Sequence, residues 1–258
     1  MAFDADLDLR SWLQRIAFLT GGYEADTVRF LLDLHTDFGG RGYLLDIGAN
    51  VGLIAIPFAL LSGAERVIAV EAVPDNVTAL VRNVAMNELG GIIDVIPFAL
   101  GEESKSAFIQ VEGNLQAGEG SGTANILPTG STYDCVRQEI RVETLDALAA
   151  EGRVPKGCSV IKIDTDGYDL KVLQGGNRFL TDNRPVIFGE FSLHCLRWHG
   201  QSMTDILTFA KHHRYEVWRR VSPGWRFTRD LSADFDQDLL LVPSERVHSF
   251  ERHLQNTD

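Results

Sequence analysis

From Gly42 onward the chain alternates short apolar runs with longer segments of helical spacing, and that alternation leaves few architectures open. Tyr43–Asp46, Arg66–Val70, Ile92–Phe98, Ser159–Asp164, Val186–Glu190, Tyr215–Val221 and Asp238–Val242 read as strands. Several are apolar at nearly every position, as strands covered on both faces are. Helices are expected between them at about 52–62, 75–88, 144–151, 168–181 and 203–213. Strands joined through helices run parallel, so residues 41–258 predict an α/β domain around a doubly wound, mostly parallel, seven-stranded sheet. Residues 1–40 predict an N-terminal helical cap: Leu7, Leu9, Trp12, Leu13, Ile16 and Leu19 fall near a 3.6 spacing, Gly21-Gly22 breaks it, and Val28, Phe30, Leu31, Leu32 and Leu34 resume it. From about 101 to 141 an insertion interrupts the alternation. Ala107–Val111 reads as a strand, and Gly113 to Gly130 is rich in Gly, Ser, Thr and Asn, the composition of a lid or binding loop.

Composition narrows the partners. Among 258 residues, 24 Lys and Arg stand against 36 Asp and Glu, a formal charge of -12. Phosphate backbones are bound by clustered Lys and Arg, so nucleic acid is not an expected partner. The longest mostly apolar run, Val51 to Leu61, is broken by Pro57 and falls short of the roughly 20 residues that span a bilayer, so no membrane partner is expected. The acidic stretch Asp4 to Asp8 stands where a secretory signal carries Lys or Arg. Cys135, Cys158 and Cys195 are widely spaced without a CxxC, which places the protein in a reducing cytoplasm. A homo-oligomer is left open.

Leu44-Leu45-Asp46-Ile47-Gly48-Ala49-Asn50-Val51-Gly52 is a strand running into a glycine turn and a helix, a place where backbone comes close to a ligand and free N–H groups face it. A dinucleotide fingerprint would read GxGxxG, but Asn50 stands where the second glycine belongs. Asp46 suits a cationic ligand, such as the amino and sulfonium groups of S-adenosylmethionine. Glu71 ends the next apolar strand, about 20 residues beyond the turn, where an acidic side chain accepts ribose hydroxyls.

In these residues and in the motifs that follow them, the chain resembles the FkbM-type methyltransferases, within the class I methyltransferases that use S-adenosylmethionine. The resemblance is carried by Asp46–Gly52, by Glu71-Ala72-Val73-Pro74-Asp75-Asn76 with Leu80, Asn83 and Asn87, and by Phe98–Gly101. It continues in Val142–Asp146, in Val160–Leu170 with Val172–Gly176, and in Arg184–Glu190. The family usually has Val and Glu where this chain has Thr165 and the shorter Asp166. The resemblance implies a Rossmann-like fold and an O-methyltransferase acting on a hydroxyl of a small molecule, a sugar or natural-product acceptor. It implies that Asp46 faces the methionine amino group, Gly48 and Asn50 line the methionine portion with Gly52 in the same turn, Glu71 holds the ribose, and Ala72, Phe98 and Ala99 border the adenine.

Asp164, Asp166 and Asp169 follow one strand and Glu190 ends the next, at the carboxyl edge where open α/β sheets bind ligands. Asp164, Asp166 and Glu190 could hold Mg²⁺ or another divalent cation, act as a general base, or attract the sulfonium. Asp169 also reads as a helix opener. His194, just past Glu190, is a further candidate base. Lys162 reads as a strand residue with a snorkelling stem. Trp198, Trp218, Trp225, Tyr215 and Phe227 offer flat faces to an acceptor or to the core. Two alternatives stay open: an NAD-dependent oxidoreductase on the same topology, and a non-catalytic cofactor-binding protein.

Overall fold

A computed structural model of the chain describes residues 3–21, 24–37, 40–111, 124–127, 137–221, 224–231 and 237–250. In chain order the elements are α1 (Trp12–Thr20), α2 (Ala25–Asp37), β1 (Tyr43–Ile47), α3 (Ala55–Ser62), β2 (Val67–Val70), α4 (Pro74–Met86) and β3 (Ile93–Ile96). The insertion follows, with β4 (Ala99–Leu100), β5 (Lys105–Val111), β6 (Ala124–Ile126) and β7 (Arg137–Glu143). After it come α5 (Leu145–Ala150), β8 (Cys158–Ile163), α6 (Asp169–Gln174), α7 (Asn177–Asn183), β9 (Val186–Phe191), α8 (Leu193–Trp198) and α9 (Met203–His212). The chain closes with β10 (Tyr215–Val221), β11 (Gly224–Phe227), β12 (Gln237–Pro243) and a 3₁₀ turn at Ser244–Phe250.

The main sheet has the order β11-β10-β12-β9-β8-β1-β2-β3, eight strands among the described residues. Seven of them are the strands marked by the apolar runs, and β11 adds an antiparallel edge through its hairpin with β10. From β9 to β3 the pairing is parallel, whereas β12 runs antiparallel to both β9 and β10. Alternate strand residues go to opposite faces. Leu44, Val67, Val160 and Val186 pack with α2, α3 and α4 through Leu31, Leu34, Phe58 and Leu80. Leu45, Ile68, Ile161 and Ile187 pack with α5 to α9 through Leu148, Leu173, Leu180, Leu196 and Ile206. Two buried helical layers on one sheet make the doubly wound arrangement.

Several boundaries depart from the sequence reading for physical reasons. The expected helix at 168–181 is two helices, the first capped at Gly175 and the second starting after Gly176, whose φ of -116° and ψ of 22° are not helical. Gly175 also packs so close to Gly101 that a Cβ there would stand 1.9 Å from its carbonyl oxygen. The strand expected over Ile92–Phe98 stops at Ile96. Ala99–Leu100 then leaves the main sheet to pair with β7, in a second sheet of order β4-β7-β5-β6. Residues 4–8 precede the first helix rather than belonging to it. Asn83 of α4 and Asn87, which caps that helix, hold this segment, Asn83 accepting from the amide of Asp6 at 2.7 Å and Asn87 from that of Asp4 at 3.1 Å. No helix among the described residues is long and apolar enough to cross a membrane.

Candidate active site

A cavity of ≈ 410 Å³ opens at the carboxyl ends of β1, β2, β8 and β9, within the range of small-ligand sites. Gly48, Asn50, Glu71, Ala72, Phe98, Ala99, Asp164, Asp166 and Glu190 line it. Leu13 of the cap and Ile109, Ala124 and Ile126 of the second sheet complete the wall. Apart from 124–127, the loop from Gly113 to Gly130 lies outside the described residues, as does Cys135. Among the described residues Cys158 and Cys195 form no disulfide.

The turn after β1 is shaped by protein packing as much as by a ligand. Gly48 has φ +83°, and a Cβ there would stand 1.9 Å from the carbonyl oxygen of Asp164. Only glycine lets β1 and β8 come that close where they deliver the site. Gly52, at φ +93°, faces the side chains of Ile56 and Leu80 and does not line the cavity. Its role is the turn and the core beneath it. The fully buried Asn83 reinforces this turn by donating to the carbonyl of Val51 at 2.9 Å, a contact between elements that sequence spacing could not reveal.

Glu71 crosses from β2 to that turn. Its Oε2 accepts from the amide of Asn50 at 2.8 Å, and its Oε1 accepts from the amide of Val73 at 2.8 Å. Burial pushes its carboxyl up, against the pull of these backbone donors and of Asn76. Of the roughly four hydrogen bonds that an ionised carboxylate accepts, Asn50, Val73 and, at 3.5 Å, Asn76 supply three, so Oε2 has room for about one donor from the cavity. Beyond it, Ala72, Ala99 and Phe98 form an apolar wall. The guanidinium carbons of Arg141 and Arg153 lie 4.9 and 4.7 Å from the Phe98 ring centre.

The floor is a charged layer of Asp46, Lys162 and Asp164. Asp46 is fully enclosed beneath the cavity and is not among its lining residues. Burial pushes its carboxyl up to about 6, against the pull of Lys162. Lys162 reaches the site instead of snorkelling away: its ammonium lies 3.2 Å from Asp164 Oδ2, 3.5 Å from the carbonyl of Gly48 and 3.8 Å from Asp46 Oδ1. Burial opposes its charge, but Asp164 and Asp46 together hold it above the ordinary lysine range. Alternation along β8, which puts residues 162 and 164 on one face, was the signal for this pair.

Register places Ile163 opposite Gly189, so Asp164 and Glu190 leave adjacent strand ends side by side. Asp166, at φ +50°, is drawn toward β6, where its Oδ2 accepts from the amide of Ala124 at 3.0 Å. Asp169 closes the loop behind them: its carboxylate accepts from the amide and hydroxyl of Thr165, at 2.8 and 2.7 Å, and from the amide of Gly167 at 3.1 Å. Burial raises its carboxyl to about 6. Among the described residues no group of three or more His, Cys, Asp or Glu is placed to hold a metal ion. The expected trio of Asp164, Asp166 and Glu190 therefore lines one cavity without converging as a ligand set, and Lys162 supplies positive charge beside Asp164.

His194 does not join the site. It sits exposed on α8, its ring 5.7 Å from that of Trp198, while Ser192 and Cys195 take the cavity side. The carboxyl-terminal aromatics also face elsewhere. Trp225 is buried between Phe30 and Phe188, Tyr215 is in the core, and Trp218 packs edge-on against Phe227.

Residues 46–217 match the methyltransferase FkbM domain, and the chain belongs to that family. The match takes in the glycine turn, Glu71, the stretch from Lys162 to Asp169, and Glu190. Hexuronic acid methyltransferase AglP of Haloferax volcanii is 32% identical over 161 residues, 62% of this chain and 59% of that protein. The chain thus spans less than two thirds of that relative's length. Among solved structures, methyltransferase FkbM from Methylobacillus flagellatus KT is 18% identical with a TM-score of 0.49, over 78% of this chain and 44% of that one. An O-methyltransferase from Bacillus cereus in complex with SAH is 15% identical with a TM-score of 0.45, over 89% and 88%.

Proposed function

We propose that this chain is an S-adenosylmethionine-dependent O-methyltransferase whose acceptor is a hydroxyl of a small molecule, a sugar or glycosyl compound. The observation that carries the reading is the Glu71 carboxylate at the end of β2, held on the glycine turn and lining a cavity of fitting size within the family's matched span. The residues fit such a donor. A carboxylate with acceptor capacity left suits ribose hydroxyls, an apolar wall of Ala72, Phe98 and Ala99 suits a base, and Asp164 presents negative charge to a sulfonium or ammonium. Bound there, S-adenosylmethionine supplies an activated methyl group and leaves as S-adenosylhomocysteine.

The protein's part is alignment and proton removal. Asp164 and Glu190, side by side at their strand ends, are placed to orient the acceptor hydroxyl, and one of them accepts its proton as the oxygen–methyl bond forms. Positioning supplies most of the rate and the base about 10²–10⁴-fold. A sugar acceptor is supported by the activity named for the Haloferax relative. Titration calorimetry with S-adenosylmethionine, S-adenosylhomocysteine and NAD, followed by an acceptor screen on free sugars that detects S-adenosylhomocysteine, tests the reading. Binding of the first two with sugar-dependent turnover is the expected result. Binding of NAD alone would overturn it. Turnover should survive exhaustive chelation, because Lys162 already supplies positive charge beside Asp164; loss of turnover restored by Mg²⁺ would return a divalent cation to the site.

A further inference from the structure

The reading above uses Lys162 only as positive charge beside Asp164, yet its ammonium occupies the centre of the site's floor. Parallel register sets Lys162 of β8 opposite Asp46 of β1, so the two side chains leave adjacent strands on one face. Neither oxygen of the fully enclosed Asp46 has a hydrogen-bond donor among the described residues. An isolated buried carboxylate is strongly disfavoured, so Asp46 depends on the ammonium 3.8 Å away. The same ammonium reaches upward, 3.2 Å from the Asp164 carboxylate on the cavity wall and 3.5 Å from the Gly48 carbonyl in the turn. Three parts of the site that come from two distant strands and a loop meet on one cation. Asp164 is only half-buried and has rotational freedom that the ammonium removes.

We infer that Lys162, which itself lines the floor of the cavity, is a positioning residue: it fixes the Asp164 carboxylate and the Gly48 turn where they receive the cationic amino-acid end of the cofactor. This rests on the methyltransferase reading and extends it to how the amino-acid end of the cofactor is held. Asp46 is the anchor below, and its own charge is directed at Lys162 and not at the ligand. The arrangement makes a distinction that a purely structural lysine would not. Loss of Lys162 should weaken ligands that carry the amino-acid end and spare those that carry only adenine and ribose, which lie at Glu71 on the other side of the turn.

The test titrates S-adenosylmethionine and 5′-methylthioadenosine, which keeps adenine and ribose but lacks the amino-acid end. The proteins are the wild type, Asp46→Asn and the double variant Lys162→Met/Asp46→Asn, each with its melting temperature measured without ligand. The double exchange removes the cation together with its enclosed partner, so no buried charge is stranded, and the melting temperature reports whether the fold is retained. Relative to Asp46→Asn, the double variant should bind S-adenosylmethionine about tenfold or more weakly, the effect of losing a charge-assisted contact, while 5′-methylthioadenosine changes by less than about twofold. Equal loss for both ligands, or no loss for either, would overturn the positioning role and leave Lys162 as an ion-pair partner of the fold. Failure of the wild type itself to bind S-adenosylmethionine would overturn the methyltransferase reading, and this inference with it.

Discussion

Replacing Glu71 by Ala removes the acceptor from two backbone donors at once, the amides of Asn50 and Val73, each 2.8 Å from a carboxylate oxygen. A buried donor left unpaired costs about 1–3 kcal/mol, and water entering from the cavity offsets part of it, so the loss in stability should be about 2–3 kcal/mol. For a chain of this size each kcal/mol moves the melting temperature by about 2–4 °C, giving a drop of about 4–12 °C. The same substitution removes the proposed ribose acceptor and should weaken S-adenosylmethionine by about tenfold or more. Glu71→Gln retains one oxygen acceptor and sets an NH₂ group against the other amide, so it should fall between the two. Thermal melts and titration calorimetry, the latter run well below the lower midpoint, read the two effects separately. Because burial holds the Glu71 carboxyl above its ordinary range, affinity should begin to fall on acidification earlier than for an exposed glutamate. A Glu71→Ala protein with an unchanged melting temperature and affinity within about twofold of the wild type would refute both the bridging role and the ribose role.

Three further outcomes are expected. Gly48→Ala sets a Cβ 1.9 Å from the Asp164 carbonyl at φ +83°, and should lower stability by more than about 3 kcal/mol in a denaturant titration. His194→Ala should leave turnover within about twofold, since the ring stands outside the cavity, whereas Glu190→Gln or Asp164→Asn should lower kcat by about 10²-fold or more if it is the base. His35 is buried against Phe58 with neither ring nitrogen hydrogen-bonded among the described residues, and burial holds it below its ordinary 6.5. The unfolded chain therefore takes up the proton first. The stability that His35 contributes is complete above pH 6.5 and is lost as the pH falls below it. His35→Leu should be less destabilised than the wild type between pH 7.5 and 5.5, as melts at the two values would show. Asp46 and Asp169, whose carboxyls are raised to about 6, work in the opposite direction and cancel in that comparison.

The sequence by itself determined the strands of the parallel sheet, the glycine turn, and the carboxylates at the strand ends. A parallel strand is buried on both faces, so Val67–Val70 appears as an unbroken apolar run, and Cys158–Ile163 and Val186–Phe191 as mostly apolar ones interrupted by Ser159, Lys162 and Glu190. The turn is written in residues that a positive φ demands, and the strand ends place Glu71, Asp164 and Glu190 at one edge of the sheet through topology alone. Tertiary structure decided the rest, because the remaining choices depend on which elements touch. Helix α8 is too short for its periodicity to show, and its orientation turned Cys195 to the cavity and His194 to the surface. Trp225 entered the core once α2 brought Phe30 onto it, which removed it from any acceptor surface. The expected helix over 168–181 divides at Gly175-Gly176, where the chain packs closely against Gly101. The meeting of Asp46 with Lys162 required the register between β1 and β8, strands far apart in the chain, and local spacing carries no information about register.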